Sequence, residues 1–514
     1  MKFFYKPKTT VIILTAAFVG IFTTFMYAED EYKTFPAVFN LINLNGTNGF
    51  AISGYNLSEG IGYSVSGAGD INGDGIADIL IASGNNNQRG QSYVVFGSKK
   101  EWPEEINLAD LNGKNGFAID GIKPGDQSGF SVSAAGDVNG DNIDDILIGV
   151  FGANNFIGQS YVVFGSKGVW SKVINLKNLD GSNGFSINGI NPSDSSGNSV
   201  SGTGDVNGDG ISDILIGASQ ANNQTGQSYI VFGSKQLRPA IINLADLNGN
   251  NGFTINGIKS GDQSGFSVSG AGDINKDGIA DILIGAIGRN NNTGQSYVVF
   301  GRKQAWPSAS FNLTDLNGKN GFAINGIQPM DASGSSISEV GDVNGDGIDD
   351  IIIGAPQAVS GTGQSYLVFG NKGPWPAAIN LQSINGKNGF AIYGINPQDY
   401  SGHSVSGAGD INGDGIDDIL IGAYGVNQGA GQSYVIFGNK KPWPADLYLY
   451  VLNGTDGFAI NSINLQDYSG YSVCGAGDIN GDGIDDILIG APGVNQGAGQ
   501  SYIIFGEHEL LAQP

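Results

Sequence analysis

Cysteine and histidine are almost absent from this chain. It has one cysteine, Cys474, and two histidines, His403 and His508, in 514 residues. One cysteine excludes an intrachain disulfide, and two histidines argue against a zinc centre or histidine-based acid–base catalysis. Cys474 stands where similar segments carry serine or alanine, so we interpret it as a small, unreactive, buried side chain.

Positive charge is also scarce. The chain has 24 Lys and Arg residues against 48 Asp and Glu, a formal charge of −24. Binding to nucleic acid needs a basic face that replaces the counterions of the phosphates, so this balance excludes nucleic acid as a partner. Cations are the natural partners of such a chain.

Long apolar runs are missing except near the N-terminus. There, three lysines precede an apolar stretch at residues 11–27, which is followed by Ala28 and an acidic "EDE". This layout is typical of a secretory signal, so we predict a signal peptide at 1–28 and a short linker at 29–38. At ~17 residues the stretch is close to the minimum for a membrane span, which leaves an uncleaved anchor as the alternative. Both predict a secreted or cell-surface protein.

The rest of the chain is an internal repeat. Segments similar to "AGDINGDGIADIL" at residues 68–80 occur seven times at intervals of 67 to 69 residues. Such a constant period identifies the chain as a repeat array, either modules in a line or a closed ring. Its first aspartates are Asp70, Asp137, Asp205, Asp273, Asp342, Asp410 and Asp478.

Each copy contains four short segments rich in Val, Ile, Phe and Tyr and bounded by Gly, Asn, Asp and Ser. In the second copy they lie at 116–121, 129–137, 144–150 and 158–165. Such segments are typical of strands joined by tight turns. One repeat therefore predicts one four-stranded antiparallel sheet.

Seven such sheets are best accommodated in a ring. A sheet with two apolar faces needs a neighbour on each side, and radial packing provides both in a β-propeller. The last copy ends at residue 506 without a "GFAIxG" strand, whereas the first copy supplies one at Phe50 to Gly54. We therefore predict an all-β, seven-bladed propeller at 39–506, with its last blade closed by the N-terminal strand, and a tail at 507–514. A parallel β-helix and a linear array of β-sandwich modules are the alternative architectures, and both fit the 68-residue repeat less well.

The repeated loop matches the chemistry of calcium. Side-chain oxygens fall at positions 1, 3, 5 and 9 (Asp70, Asn72, Asp74 and Asp78), with the Ile76 carbonyl at 7 and glycine at 6. An EF-hand loop uses the same positions, but this loop lacks the glutamate at 12 and is flanked by strands. It is therefore predicted to be a strand–loop–strand relative of the EF-hand loop.

The alternative is a solvent-exposed turn that binds no metal, since Asn, Asp and Gly all favour turns. Seven loops in register, which hold 21 of the 48 acidic residues, argue for about seven Ca²⁺ sites, because carboxylates packed so closely repel one another without a cation. The predicted ligands in the other six loops are Asp137, Asn139, Asp141, Ile143, Asp145, Asp205, Asn207, Asp209, Ile211, Asp213, Asp273, Asn275, Asp277, Ile279, Asp281, Asp342, Asn344, Asp346, Ile348, Asp350, Asp410, Asn412, Asp414, Ile416, Asp418, Asp478, Asn480, Asp482, Ile484 and Asp486.

Two loops depart from the pattern. Asn142 replaces the glycine at position 6 of the second loop, and asparagine tolerates the left-handed backbone, so we expect that site to survive. Lys276 replaces the glycine at position 4 of the fourth loop, which is not a ligand position. We expect only a modest loss of affinity there.

These motifs resemble a known family. The run "GYSVCGAGDINGDGIDDILIGAP" at 470–492 is similar to the FG-GAP repeat of the integrin α-subunit propeller, and the similarity covers about 39–506. The resemblance implies a seven-bladed propeller whose N-terminal strand closes the last blade and whose upper surface binds extracellular ligands. The thigh, calf and inserted adhesion domains of integrins have no counterpart in the sequence, so an integrin heterodimer is not implied.

Three other features repeat. An acidic residue stands eleven places before each loop, and we interpret it as a turn cap, with extra cation binding as the alternative. Five tryptophans follow the third strand, and either packing between blades or stacking on sugars would explain them. A turn-rich spur such as Phe39 to Phe50 is interpreted as a structural hairpin or loop. The acidic residues are Glu59, Asp126, Asp194, Asp262, Asp331, Asp399 and Asp467, and the tryptophans are Trp102, Trp170, Trp306, Trp375 and Trp443.

No singular catalytic set stands out, because nearly every polar residue has counterparts in the other repeats. His403 occupies a variable position, and Glu339 is a single acidic exception in its strand. We therefore predict no enzymatic activity and no catalytic residues, and a monomeric adhesion or recognition module for an extracellular protein or glycan. The alternatives are an enzyme or carbohydrate-processing propeller, such as a phospholipase-associated one, and a purely structural surface module. Any membrane contact is expected only through an uncleaved N-terminal segment.

Overall fold

The computed structural model describes residues 35–83, 89–303, 306 and 309–507, together with the backbone of two paired two-residue strands, Val11–Ile12 and Tyr27–Ala28. The predicted signal peptide and most of the linker and C-terminal tail therefore lie outside the described residues. In the described part of the chain, no helix has the length and hydrophobicity that a membrane crossing requires.

Between residues 35 and 507 the described chain forms seven β-sheets, and each contains four antiparallel strands in a row. Neighbouring sheets pack side by side, and the last sheet contacts the first, so the sheets close into a ring. Branched and aromatic side chains favour these strands, and the intervening Gly and Asn residues allow the tight turns. The predicted seven-bladed β-propeller is confirmed.

The innermost strands are Ile61–Gly69, Ser131–Gly136, Ser199–Gly204, Ser264–Gly270, Ser336–Gly341, Ser404–Gly409 and Ser472–Gly477. The second strands are Asp78–Ser83, Asp145–Val150, Asp213–Ala218, Ile282–Ala286, Asp350–Ala355, Asp418–Ala423 and Asp486–Ala491. The third strands are Gln91–Val95, Gln159–Val163, Gln227–Val231, Gln295–Val299, Gln364–Val368, Gln432–Ile436 and Gln500–Ile504. The fourth strands, for blades 1 to 7, are Gly116–Asp120, Gly184–Asn188, Gly252–Asn256, Gly321–Asn325, Gly389–Tyr393, Gly457–Asn461 and Gly49–Ser53.

Each blade also has a short fifth strand, which the sequence did not predict. It lies parallel to the fourth strand and comes from the spur of the next repeat around the ring, which for blades 6 and 7 lies in the N-terminal part of the chain. The spur is therefore partly a strand and not only a hairpin or loop. The fifth strands of blades 1 to 7 are Val173–Asn175, Ile241–Asn243, Ser310–Asn312, Ala378–Asn380, Asp446–Tyr448, Val38–Asn40 and Glu105–Asn107.

The N-terminal segment closes the ring at two blades. Gly49–Ser53 pairs antiparallel with Gln500–Ile504, with Phe50 opposite Ile503, and so completes blade 7 as predicted. Val38–Asn40 pairs with Gly457–Asn461 and provides the fifth strand of blade 6. One short segment therefore joins two blades made by the other end of the chain.

Helical structure in the described residues is limited to single turns. A 3₁₀ turn follows each fifth strand, at Leu41–Asn43, Leu108–Asp110, Leu176–Asn178, Leu244–Asp246, Leu313–Asp315, Leu381–Ser383 and Leu449–Val451. Six four-residue turns between second and third strands contain left-handed residues, at Ala153–Phe156, Ala221–Gln224, Arg289–Asn292, Ala358–Gly361, Val426–Gly429 and Val494–Gly497.

The hydrophobic core lies between adjacent blades. Second strands such as Asp145–Val150 are buried at every position, because a neighbouring blade covers each face. One core cluster, for example, joins Leu80 and Phe117 of blade 1 to Ile146 and Ile148 of blade 2. Blades are thus stabilised by their neighbours, which accounts for the need to close the ring.

The two faces of the ring carry different loops. On the lower face, the predicted calcium loops join innermost to second strands. On the upper face, the left-handed turns join second to third strands, and the segments that lead into the next blade join fourth to innermost strands.

Candidate functional site

The predicted calcium loops share a hydrogen-bonded backbone frame, which the third loop illustrates. The Asp205 carboxylate accepts hydrogen bonds from the backbone N–H groups of Gly208, Asp209 and Gly210 at 2.6 to 3.0 Å. The Asp209 carboxylate accepts one from Ile211 N–H at 3.0 Å. The aspartates at positions 1 and 5 thus bend the loop around their own oxygens.

Positions 4 and 6 of the loop both need a left-handed backbone. Asn142, at position 6 of the second loop, has a φ of 65°, as expected for an asparagine that replaces glycine. Lys276, at position 4 of the fourth loop, has a φ of 57°, whereas glycine occupies this position in the other loops. The substitution at 276 therefore carries a conformational cost that the ligand pattern alone did not indicate.

The aspartate at position 9 is the first residue of the second strand, or in blade 4 the residue just before that strand, and it is buried in every blade. In blade 3, Asp213 accepts hydrogen bonds from Gly233 N–H at 2.8 Å and Val206 N–H at 3.1 Å. Burial, together with the charges of Asp209 and Asp205, raises the pKa of Asp213 to about 8, although the two backbone hydrogen bonds act in the opposite direction. The pKa of its six counterparts is raised in the same direction, mainly by burial, at Asp78, Asp145, Asp281, Asp350, Asp418 and Asp486.

The donor set of each loop is chemically suited to a hard divalent cation. It consists of carboxylate, amide and carbonyl oxygens, the ligands that Ca²⁺ prefers. A cation there would favour the charged form of a buried carboxylate that otherwise tends to be neutral. In the described residues, no three Asp, Glu, His or Cys side chains form a preassembled metal cluster. The residues fit the ion by type and burial, and binding would have to draw the carboxylates together.

Every predicted calcium loop is hydrogen-bonded to the next blade. The carbonyl of position 2 accepts a bond of 2.8 to 3.0 Å from the backbone N–H that follows the third strand of the next blade. The pairs, donor first, are Ser166–Ile71, Ser234–Val138, Arg302–Val206, Asn371–Ile274, Asn439–Val343, Glu507–Ile411 and Ser98–Ile479. The loops are therefore part of the contacts between blades.

A second set of contacts involves position 8, which the sequence reasoning missed. Asp144, Asp349, Asp417 and Asp485 each accept a hydrogen bond from the position-1 N–H of the preceding blade, at 2.6 to 3.0 Å. The available signal was the doubled aspartate in "IDDIL", whose first member is not a predicted ligand. It serves the blade interface instead.

The repeated acidic residue before each loop is a turn cap, as interpreted. Each is buried and accepts a hydrogen bond of 2.8 to 3.2 Å from the backbone N–H three residues earlier. Asp262 also forms an ion pair of 2.8 Å with Arg289. These carboxylates therefore stabilise the turns in the upper-face segments that join fourth strands to innermost strands.

The five tryptophans pack between repeats. Four stack nearly parallel on a fourth-strand phenylalanine, as Trp170 does on Phe117 with ring centroids 4.4 Å apart. Trp306 lies at 3.8 Å from Phe253. In the remaining two blades, Phe35 stacks on Phe458 at 4.7 Å, and the guanidinium of Arg238 lies 5.4 Å from the Phe185 ring. A flat group thus covers this phenylalanine in all seven blades, so packing accounts for the tryptophans.

The upper face carries a feature that the sequence reasoning missed. Nine aromatic side chains of blades 6, 7, 1 and 2 form a continuous series with centroids 4.4 to 6.3 Å apart, which we call the aromatic arc. Its members are Tyr400, His403, Tyr424, Tyr468, Tyr471, Tyr63, Phe130, Phe151 and Phe156. Four of the nine occupy a variable position after the glycine of "SG" or "IG", which is also aromatic in blade 4 (Phe266) and is Asn198 or Ser335 in blades 3 and 5, so this position alone does not reveal the arc.

The residues that differ from their counterparts in the other repeats, His403, Glu339 and Cys474, lie in two different parts of the molecule. His403 lies in the aromatic arc, where burial lowers its pKa to about 4 and keeps the imidazole neutral. Glu339 and Cys474 line the central channel. Burial and the charges of Asp349 and Asp417 raise the pKa of Glu339, and burial raises the pKa of the Cys474 thiol to about 12. Cys474 is thus a protonated channel residue and is not deeply enclosed in the core.

Comparison with known proteins matches the repeats to one family model. Six segments match the FG-GAP repeat: 61–95, 196–231, 264–299, 334–368, 401–436 and 469–504. Each covers an innermost, a second and a third strand.

Curated relatives of the chain include integrin α-subunits. Integrin alpha pat-2 of Caenorhabditis elegans is 32% identical over 237 residues, 45% of this chain and 18% of the relative. Integrin alpha-2 of Bos taurus is 28% identical over 352 residues, 63% of this chain and 25% of the relative. Integrin alpha-IIb of Homo sapiens is 28% identical over 225 residues, 42% of this chain and 20% of the relative. The matched regions thus make up a quarter or less of these relatives.

Proposed function

Because this chain is an FG-GAP repeat protein that resembles integrin α-subunits, we propose that it is an exported, calcium-binding recognition module. Its ligand would be an extracellular protein or glycan. The similarity to integrin α-subunits supports an adhesion or ligand-binding propeller outside the cytoplasm.

The observation that carries this proposal is the difference between the two faces. On the lower face, all seven loops share one geometry, and each is bonded to the next blade. On the upper face, the residue types differ from blade to blade, and aromatic side chains collect over four of the seven blades. Repeated loops on the lower face and variable residues on the upper face are typical of a scaffold that carries one binding surface.

Calcium has a structural role in this proposal. When bound, the ion supplies the positive charge that lets the three carboxylates of a loop stay ionised side by side. Asp205 and Asp209 would hold it together with Asn207, the Ile211 carbonyl and Asp213, and the other loops would use the equivalent residues. The bonds between loops and neighbouring blades would transmit that stabilisation around the ring.

We propose that the chain is not an enzyme. His403 is neutral and surrounded by aromatic rings, whereas Glu339 lies in the channel among other carboxylates. These two singular groups belong to different parts of the molecule, so they supply no shared acid–base pair. The similarity to integrin α-subunits points in the same direction.

The test combines calcium titration with ligand capture. We expect the melting temperature to rise as calcium increases from micromolar to several millimolar, with site affinities on the order of 10⁻⁴ to 10⁻³ M. The same sample should bind at least one extracellular matrix protein or glycan on an array in calcium, and lose it in chelator. A melting temperature that ignores calcium would contradict the calcium part, and turnover of a substrate that depends on His403 or Glu339 would contradict the non-enzymatic part.

A further inference from the structure

We propose that the upper face at the boundary of blades 6 and 7 binds an uncharged glycan chain. The inference rests on the proposed function as a recognition module and names the class of its ligand. It is carried by the coincidence, at this boundary, of an uncharged surface, a cleft lined by amides and the exposed end of the aromatic arc.

The surface at this boundary carries no exposed charge. Its loops, residues 394–403, 424–431, 462–471 and 492–499, contain two carboxylates and no lysine, arginine or glutamate. The two carboxylates, Asp399 and Asp467, are buried, and both accept 2.8 Å hydrogen bonds from backbone N–H groups. In a chain with 48 acidic and 24 basic residues, such a surface offers no counter-charge to an ionic ligand.

A cleft of 670 Å³ opens between the left-handed turn of blade 6 and the segment leading into blade 7. Its polar lining comprises Asn40, Asn427, Gln428, Asn461, Ser462 and Asn464. Asn427 and Gln428 are exposed, and their left-handed backbone, with φ of 51° and 59°, places both in the turn that borders the cleft. The amides of Asn40, Asn461 and Asn464 also take part in hydrogen bonds within the protein. The exposed amides of Asn427 and Gln428 can each provide two donor hydrogens and an acceptor oxygen, which suits the hydroxyl groups of a sugar.

An aromatic ring packs against the turn that lines this cleft. Tyr468 is 37% exposed, and its ring lies so close to Gly429 that a Cβ atom there would approach it to 2.7 Å. Gly429 directly follows Gln428 in the turn, so the ring and the amides belong to one surface. An aromatic face of this kind packs against the C–H face of a sugar ring.

The combination is specific to one boundary among those described. At the boundary of blades 5 and 6, Tyr400 lies over Gly361 in the same way, but Val359 and Ser360 replace the two amides. At the boundary of blades 7 and 1, Asn495 and Gln496 are present, but Gly60 stands where Tyr468 would be. Blades 6 and 7 alone pair the tyrosine with the amides.

The arc continues past the cleft and so favours a chain over a single sugar. Tyr468 contacts Tyr424 at 6.3 Å, Tyr424 contacts Tyr471 at 5.5 Å, and Tyr471 contacts Tyr63 at 5.1 Å between ring centroids. A basic peptide would lack a counter-charge here, and an apolar peptide would cover the exposed amides of Asn427 and Gln428 without offering them hydrogen-bonding groups. An uncharged polysaccharide satisfies both parts of the surface.

The test uses the full chain in calcium and a panel of uncharged oligosaccharides, namely cellohexaose, xylohexaose, maltohexaose and chitohexaose, measured by calorimetry. We expect at least one to bind. We expect Tyr468→Ala, and the double variant Asn427→Gly with Gln428→Gly, each to weaken that binding about tenfold or more. Glycine keeps the left-handed backbone, so the double variant removes only the amides.

Matched controls lie on the same face. The double variant Asn290→Gly with Asn291→Gly changes the equivalent turn of blade 4, and Phe266→Ala removes an aromatic side chain outside the arc. Both should leave the affinity within about twofold. Equal losses in these controls, or binding of none of the four sugars at millimolar concentration, would overturn the proposal.

Two further outcomes separate this inference from the proposed function. Capture of a protein ligand that is unaffected by Tyr468→Ala, with no sugar bound, would leave recognition intact and remove the glycan. Sugar binding that depends on Tyr468 but persists in chelator would support the glycan site while contradicting a calcium-dependent recognition surface.

Discussion

The aspartate at position 9 of each predicted calcium loop is both a predicted ligand and a buried residue of the blade. Asp213 is completely buried, and its two oxygens already accept backbone hydrogen bonds. The ordinary pKa of an aspartate is ~3.9, so a pKa raised to about 8 means that burial strongly disfavours the charge. The residue is therefore both a strand-forming contact and a reason for the loop to take up a cation.

Asp209→Asn removes one negative charge from the loop and keeps the acceptor oxygen of the side chain, so it tests the charge without changing the hydrogen bonding. Asp209 is exposed and bonds Ile211 N–H through Oδ1, a bond that the asparagine oxygen can keep. We expect the free energy of unfolding in chelator to change by less than about 0.5 kcal/mol. In calcium, calorimetry should show one site fewer than in the parent protein.

The control for this variant is Asp246→Asn, which removes an equally exposed carboxylate from a 3₁₀ turn. It should keep the full number of sites. An unchanged stoichiometry in Asp209→Asn would show that this loop does not bind calcium.

Because the pKa of His403 is lowered in the folded protein, we expect the stability of the protein to depend on pH. Its pKa is about 4 in the folded protein against an ordinary value of 6.5, because burial disfavours the imidazolium. The unfolded chain therefore takes up a proton first, and stability is lost as the pH falls from about 6.5 toward 4. His403→Phe, which places the side chain of Phe130 at this position, should lose less stability over that interval than the parent protein.

Denaturant titrations at pH 7 and pH 4.5 measure this difference. Tyr471→Phe, at the equivalent position of blade 7, serves as the control because tyrosine does not titrate in that interval. If the stability of His403→Phe and that of the parent fall in parallel, the histidine contributes nothing to the acid sensitivity.

At the scale of elements, the spur is stabilised by a stack that three side-chain types can provide. Trp170 lies parallel to Phe117, and its Nε1–H donates to the Ser166 carbonyl at 3.1 Å. Arg238 and Phe35 take the same place in other blades. What these side chains share is a flat surface, which covers the fourth-strand ring and holds the fifth strand against the blade.

Trp170→Ala should therefore cost about 2 kcal/mol of unfolding free energy, somewhat less than for a fully buried tryptophan because the ring is partly exposed. Trp170→Arg should cost clearly less, since Arg238 already covers the equivalent phenylalanine of blade 2, Phe185. Chemical denaturation of both variants provides the measurement. Val169→Ala, one residue earlier and fully exposed, should have no effect, and equal losses in the alanine and arginine variants would contradict the stacking role.

At the scale of the whole molecule, the ring is closed by strands from opposite ends of the chain. Gly49–Ser53 pairs with Gln500–Ile504, and Val38–Asn40 pairs with Gly457–Asn461. Phe50 also stacks on Trp102 at 4.3 Å, so the closing strand contributes to the core between blades 7 and 1. Without this segment, blade 7 would expose the edge of its third strand.

Deletion of residues 1–53 should therefore produce a protein that associates through that edge, because an exposed strand edge pairs readily with other chains. A synthetic peptide of residues 35–56 should bind the truncated protein by strand addition and return it to a monomer. Light scattering with and without the peptide measures both effects. A scrambled peptide is the control, and a truncated protein that stays monomeric and equally stable would contradict the closure.

The sequence alone determined the blade, the number of blades and the closing strand. These properties depend on contacts within one repeat or on counting repeats, and the chemistry of "GDINGDGIDDIL" and the missing last strand are visible in the linear order. The fifth strand, the stack shared by Trp170 and Arg238, and the bonds of Asp144 to the neighbouring loop were not predictable in this way. Each joins residues of different repeats, and sequence periodicity does not reveal which surfaces of adjacent blades meet.

The aromatic arc depended on tertiary structure most of all. His403, Tyr471, Tyr63 and Phe130 are isolated variations in the sequence, and two of them lie at opposite ends of the chain. Only the curvature of a closed ring brings residues one repeat apart, and the first and last repeats, to adjacent places on one face. The repeat thus determined the scaffold and its predicted ion, whereas ring closure decided where a binding surface could form.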